Sequence, residues 1–307
     1  MYNNLMQRRI FRIKIPASTS NIGPGFDTLG LALKIYNEIE VLETNNENFH
    51  IEYAYPLTQK INPNNDLYLK AYKIALYEIG AKIQKFHARI KNRIPVGQGL
   101  GSSGSAVISG VITAFVFAGE EIDINKVLNI AIKIEQHPDN ITPSLVGGFT
   151  VSSVVNNKVY FKKVPVNPDL HAVVVIPDFT LPTKNARKVL PKRVNLKDVV
   201  FNLNRTAYLV SSFMKNDLKD IQWAFYDRIH QPARSRLVPG LKEVIEKAHS
   251  AGAEGAFLSG AGPSVVALCK RDAENIGKLM VRIWKNYDVS SRFIVTGIDN
   301  QGVRILK

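Results

Sequence analysis

Residues 95–105 read Pro95-Val96-Gly97-Gln98-Gly99-Leu100-Gly101-Ser102-Ser103-Gly104-Ser105, a composition suited to holding an anion. Glycines at 99, 101 and 104 let backbone N–H groups approach a phosphate with no Cβ in the way, and a helix opening there aims its positive end at the same point. The hydroxyls of Ser102, Ser103 and Ser105 add donors to phosphate oxygens and ligands for a metal ion. Further polar residues gather in short clusters. Asn21 and Asp27 lie in the glycine-flanked stretch Asn21-Ile22-Gly23-Pro24-Gly25-Phe26-Asp27, where Asn and Asp commonly form turns. His137-Pro138-Asp139-Asn140 puts three polar side chains into one turn, which either caps the segment after it or faces a ligand. Thr183 and Arg187 follow Pro182 at helical spacing, so a first helical turn gives them one face. Arg234 stands in His230-Gln231-Pro232-Ala233-Arg234-Ser235-Arg236. Arg236 is its register alternative, and surface charge is the ordinary role of both.

The glycine spacing separates several chemistries. The ATPase loop G-x-x-x-x-G-K-[ST] fails because no lysine closes the segment. Gly99-x-Gly101-x-x-Gly104 satisfies the dinucleotide fingerprint, with Glu120 and Glu121 near the distance expected of a ribose-binding acid. That fold needs the acid at the end of a second parallel strand, whereas Glu121 leads into Asp123, Asn125 and a helical pattern. A glycine-serine turn without a ligand is the remaining alternative.

The complete string resembles the P-x-x-x-G-L-G-S-S phosphate loop of the GHMP kinases. Two more segments stand in the family's order, Pro16-Ala17-Ser18-Thr19-Ser20-Asn21-Ile22-Gly23-Pro24-Gly25-Phe26-Asp27-Thr28-Leu29-Gly30 and Ser259-Gly260-Ala261-Gly262-Pro263-Ser264. Their details are most similar to the homoserine kinase family. The resemblance implies a two-domain α+β fold, with an N-terminal ATP-binding α/β domain over 1–165 and a C-terminal ferredoxin-like α/β domain over 166–307. The active site would lie in the cleft between them, and the enzyme would be a homodimer. The implied reaction is transfer of phosphate from ATP, with Mg²⁺, to the side-chain hydroxyl of L-homoserine in threonine biosynthesis. A GHMP kinase of another small alcohol, such as mevalonate or shikimate, and a non-catalytic ligand-binding relative are the alternatives. A Rossmann oxidoreductase would instead respond to nicotinamide nucleotides.

The same resemblance assigns roles residue by residue. The nucleotide would be held by Pro95, Gly97, Gly99, Leu100, Gly101, Ser102, Ser103, Gly104 and Ser105, with Asn65 and Asp66 at the base. Asn21, Asp27, His137, Asp139, Thr183, Arg187 and Arg234 would line the substrate pocket. There Asp139 would bind the ammonium, and Arg187 with Arg234 would form a fork for the carboxylate, as planar guanidinium groups suit that anion. Asn140 and Asn21 would sit near the transferring group, with Asp139 as the third member of the catalytic set and no dedicated base. The metal would rest on Ser102 or Ser103. In one respect the chain departs from the family: where a metal-binding glutamate is often found eight positions before His137, it has Asn129. An amide is a weaker magnesium ligand than a carboxylate. Either another acid substitutes, Glu135 being the nearest, or Ser102 or Ser103 holds the metal with water and phosphate, or kinase activity is reduced.

Composition bounds these readings. With 307 residues, 45% hydrophobic and 21% charged, the chain is long enough to bury a large core in two domains. The apolar stretch from Ala106 to Ala118 is interrupted by Ser109, Gly110 and Thr113 and falls short of the ~20 residues a membrane span needs. Residues Met1 to Arg9 are polar and then basic, without the apolar segment of a secretory signal. The single cysteine, Cys269, excludes an intramolecular disulfide and reads as a buried strand residue. A cytoplasmic enzyme is the expectation. The net charge of +14 is scattered rather than gathered into a tail, which suits polyanionic substrates and not a dedicated nucleic-acid partner.

Periodicity supplies the elements that position these groups. Strands are expected over Phe11–Ile15, Leu31–Leu42 and from Phe86 into the glycine loop, with helices over Leu67–Ile79, Ser103–Ala118 and Ile124–Glu135. A strand over Gly147–Val154 turns at Asn156-Asn157 into a hairpin that runs to Lys163. Strands at Ala172–Ile176 and Arg292–Thr296 and a helix at Ala273–Tyr287 belong to the second domain.

Overall fold

The computed structural model describes residues 9–54 and 66–306. Asn65 lies outside them. The chain begins with β1 (Ile10–Ser20) and β2 (Leu29–Glu43), a long antiparallel pair. Phe11, Ile13 and Ile15 of β1 are buried while Arg12 between them is exposed, as alternation across a pleated strand requires. β3 (His50–Tyr53) comes next, followed by α1 (Leu67–Ile79), which Asp66 starts by accepting the Leu69 N–H and Gly80 ends in the left-handed region.

β4 (Phe86–Lys91) runs into the glycine loop, which opens α2 (Ser102–Ala118). α3 (Ile124–Ala131), α4 (Pro138–Val146), β5 (Phe149–Val155) and β6 (Lys158–Val164) complete the first half. At the β5–β6 turn Asn156 and Asn157 have φ of 51° and 60°, the pair of positive angles that a tight hairpin needs.

The second half comprises β7 (His171–Pro177), α5 (Thr183–Lys188), α6 (Leu196–Lys215), α7 (Gln231–Arg234), α8 (Leu241–Ser250), β8 (Gly255–Leu258), β9 (Val265–Cys269), α9 (Ala273–Lys285), β10 (Ser291–Gly297) and β11 (Arg304–Leu306). Its four-stranded antiparallel sheet has the order β10-β7-β9-β8, the strand arrangement of a ferredoxin-like β-α-β-β-α-β unit. Along β7, Ala172, Val174 and Ile176 face the core shared with the first sheet, and Val173 and Val175 face α8 and α9. Cys269 is fully buried at the end of β9, where burial pushes its thiol up to about 11.

At several points the structure extends or departs from the expected elements. β1 runs on through Ser20, past the expected end at Ile15. The chain changes sheets between β6 and β7, and β11 pairs with β1 in the first sheet. β3, too short to show a period, joins the first sheet parallel to β4. The helix expected over 124–135 stops at Ala131, and residues 132–136 form turns that end with Gln136 at φ 30°. Pro138 shapes only the end of this stretch: a residue before proline is pushed out of the helical region, and His137 is extended at φ −123°, ψ 101°. No helix among the described residues is long and apolar enough to cross a membrane.

Candidate active site

A cleft of about 330 Å³ runs along the glycine loop to the start of α5. Within the loop Gly97, Gly99 and Gly101 all have positive φ, between 69° and 73°. A Cβ at Gly99 would run into the Ser259 carbonyl, and one at Gly101 into Ser18 Oγ. The other two motifs therefore press against the glycine loop: Ser259 Oγ donates to Gly99 O at 2.7 Å and lies 2.8 Å from Thr19 Oγ1, whose hydroxyl donates to it, and Ser18 N–H donates to Leu100 O at 3.2 Å. Gly101→Ala is expected to lower stability by roughly 2 kcal/mol from left-handed strain and overlap and to weaken ATP binding about tenfold. Urea unfolding and titration calorimetry read the two effects separately.

The loop's hydroxyls differ in availability. Ser105 is buried, donates to Ser102 O at 2.8 Å and accepts from Asn37 Nδ2 at 3.3 Å, so it braces the loop rather than facing a phosphate. Ser103 is exposed at the first turn of α2 and hydrogen-bonds the Glu135 carboxylate. Glu135 also lies 3.2 Å from His137 Nδ1 and lines the cleft. Asn129 does neither. Its Oδ1 accepts the Val159 N–H at 2.9 Å in a separate surface depression.

The same cleft is lined by Asn21, Asp27, His137, Asp139, Asn140, Thr183, Arg187 and Arg234. Asp139 is 1% exposed, and burial pushes its carboxyl up to about 7. The charge of Asp27 adds to the rise, while His137 and the Ser20 hydroxyl oppose it. Asn140 holds its backbone in place, its carbonyl accepting from Ser18 Oγ at 3.0 Å and Ser144 Oγ at 3.2 Å. Asn21 has φ of 68°, donates from Nδ2 to Gly260 O at 2.9 Å and accepts the Asp27 N–H at 2.9 Å. Its amide ties the substrate loop to the third motif, so it shapes the site more than it reaches a transferring group.

Arg187 and Asp27 form an ion pair, Nη2 to Oδ1 at 2.6 Å. Arg187 Nε is buried with no partner among the described residues. The Arg234 guanidinium, 2% exposed, donates from Nη1 to Gly260 O at 2.7 Å. Burial first, and then neighbouring Arg187, pull its pKa down to about 10, which leaves it charged at neutral pH. Both guanidinium groups lie over the Phe26 ring, at 5.4 Å for Arg187 and 5.3 Å for Arg234, and both line the cleft. Arg236 is exposed on the next turn and is not part of the cleft.

The base end differs from expectation. Asp66 is 3% exposed, and its two oxygens are taken by the Leu69 N–H and, at 2.6 Å, by the Tyr53 hydroxyl. It caps α1 and steadies Tyr53, and Tyr53, Tyr68, Asn37 and Asn92 line the cleft where Asp66 does not. Among the described residues no cluster of three His, Cys, Asp or Glu side chains could hold a metal alone. A cation here would need oxygen ligands from phosphate and water as well.

The family described as GHMP kinases N terminal domain matches residues 66–148, and GHMP kinases C terminal matches 209–285. The homoserine kinase of Halothermothrix orenii is 38% identical, covering 97% of this chain and 96% of its own. That of Aquifex aeolicus is 39% identical over 96% of this chain and 99% of its own. The crystal structure of homoserine kinase from Cytophaga hutchinsonii superposes with a TM-score of 0.87 at 27% identity, covering 100% of both chains. The mevalonate kinase of Methanococcus jannaschii, at 18% identity over 96% of this chain and 99% of its own, shares the fold with a TM-score of 0.67.

Proposed function

This chain belongs to the GHMP kinases and, within them, to the homoserine kinase family, and from that premise we infer how its cleft works. The reaction is ATP-dependent phosphorylation of L-homoserine on the side-chain hydroxyl, giving ADP and O-phospho-L-homoserine. One observation carries the reading of the pocket: two guanidinium groups and two carboxylates share a single cleft with a glycine phosphate loop. That set matches a zwitterion. Mevalonate and shikimate carry a carboxylate but no ammonium, and would leave Asp27 and Asp139 facing an anion.

Backbone N–H groups of residues 99–104 and the opening of α2 hold the phosphates. The substrate carboxylate lies between Arg187 and Arg234, where the unpartnered Arg187 Nε supports a waiting donor. Asp139, with Asp27, takes the ammonium, which leaves the hydroxyl directed toward the γ-phosphate beside Asn140. A loose transition state asks little of a base, so orientation and charge stabilisation supply most of the rate. In this reading the enzyme is cytoplasmic and homodimeric and serves threonine synthesis.

Mg²⁺ fits the site. The Glu135 carboxylate and the Ser103 hydroxyl meet at the mouth of the phosphate loop, a hard oxygen pair of the kind magnesium uses alongside phosphate and water. Bound there, the metal would neutralise developing phosphate charge. Glu135→Gln is expected to raise the Mg²⁺ concentration for half-maximal rate about tenfold or more, with binding of metal-free ADP little changed. The reaction itself is tested by ADP release from MgATP with L-homoserine, L-threonine, mevalonate, shikimate or no acceptor. Homoserine-dependent release is the expected result, and release driven by another alcohol alone would refute the pocket assignment.

A further inference from the structure

His230 is the N-cap residue of α7, has no exposed surface and does not line the cleft. The segment that carries it is held firmly. Asp227, also buried, accepts the N–H groups of Ile229 at 3.0 Å, His230 at 2.9 Å and Gln231 at 2.6 Å, and the Asn202 amide at 2.6 Å. On one edge of the imidazole, Nε2 lies 2.7 Å from the Gly23 carbonyl and 3.5 Å from Asp227 Oδ2. On the other, Nδ1 lies 3.3 Å from Arg234 Nη1.

These partners dictate the tautomer. A carbonyl oxygen only accepts and a guanidinium only donates, so the proton belongs on Nε2 and the lone pair on Nδ1. Arg234 Nη1 then spends one hydrogen on Gly260 O and the other on His230. Nε is turned toward Ala186 O at 3.5 Å. The nitrogen left for a ligand is Nη2. Phe26 packs against the same imidazole with ring centroids 5.1 Å apart, so the histidine joins the loop that carries Asp27 to the arginine across from it.

We propose, building on the homoserine reading above, that His230 is a positioning residue that fixes which edge of the Arg234 guanidinium meets the substrate carboxylate. It touches no substrate. Its effect passes entirely through Arg234 and through the Gly23 carbonyl, and makes Arg234 a one-nitrogen partner that works with Arg187 rather than a two-nitrogen clamp.

His230→Gln keeps an amide donor for Gly23 and loses the acceptor for Nη1, whereas the shorter His230→Asn places an amide oxygen near the position of Nδ1. The expected result for His230→Gln is a homoserine KM raised about tenfold, with the KM for ATP unchanged. The kcat/KM for 3-aminopropan-1-ol, which has the ammonium and hydroxyl but no carboxylate, should also be unchanged. His230→Asn should recover much of the homoserine KM. Equal losses for homoserine and 3-aminopropan-1-ol, or an unchanged homoserine KM in the Gln variant, would overturn the proposal. Nitrogen NMR of histidine-labelled parent protein provides a second reading that needs neither variant nor substrate. A neutral Nε2–H imidazole supports the bond to Arg234, and an Nδ1–H form contradicts it. Absence of homoserine turnover by the parent enzyme would refute the functional reading, while the tautomer would still decide the His230–Arg234 contact.

Discussion

Replacing Asp139 by Asn is expected to yield a protein more stable than its parent at about pH 8 and roughly a hundred- to thousandfold less active on homoserine, the range for losing one partner of a buried charge pair. Both effects come from the same burial. The carboxyl is pushed from an ordinary 3.8 to about 7 in the folded protein. A group whose folded pKa is raised favours folding only while it is protonated. Its cost is absent below the unfolded pKa, grows as pH rises through that window, and is fully present above the folded value, at about 4 kcal/mol. The neutral amide should remove this pH dependence, so urea midpoints of parent and variant should converge toward pH 4 and separate above pH 7. Activity runs the other way, because only the carboxylate attracts an ammonium. The parent's kcat/KM for homoserine should therefore fall as pH drops through about 7. An Asn variant that is less stable at high pH, or that keeps its homoserine kcat/KM, would contradict this account of Asp139.

Arg234→Lys should lower kcat/KM for homoserine about a hundredfold while the KM for ATP stays within twofold. Charge is retained in this variant. What it loses is the planar group that spans Gly260 O, His230 Nδ1 and the cleft, a geometry that an ammonium on a flexible stem does not reproduce. Because the lost interaction is with the carboxylate, 3-aminopropan-1-ol should be phosphorylated by parent and variant with similar efficiency. Steady-state kinetics with both acceptors decides the matter, and a parallel loss on the two would place Arg234 in the scaffold instead of the pocket.

Much of this site is legible from residue types because glycine and buried charge leave strong signals. The glycine loop declares itself through positions that tolerate no Cβ, and Gly99 and Gly101 indeed abut Ser259 and Ser18. The spacing of Thr183 and Arg187 after Pro182 places both on the cleft wall. Glu135 was harder to read. The family resemblance points at Asn129, eight positions before His137, but α3 ends at Ala131 and the turns that follow carry Glu135 to Ser103. Tyr53, Tyr68 and Asn37 carry no motif at all. As single residues on ordinary strands and a helix, they become a wall only when β2, β3 and α1 come together beside α2. The return of β11 to β1 is likewise a tertiary event, since three residues hold too little pattern to announce a strand.

The central claim is that the arginine pair holds the carboxylate away from the phosphate loop, so that the hydroxyl alone meets the γ-phosphate. Phosphorus–proton correlation NMR of the product formed from MgATP and L-homoserine tests it most directly. The expected product shows phosphorus coupled to the side-chain methylene next to oxygen and resists hydroxylamine. A hydroxylamine-sensitive acyl phosphate would mean that the carboxylate faces the nucleotide, and the orientation assigned to Arg187, Arg234 and Asp139 would be wrong.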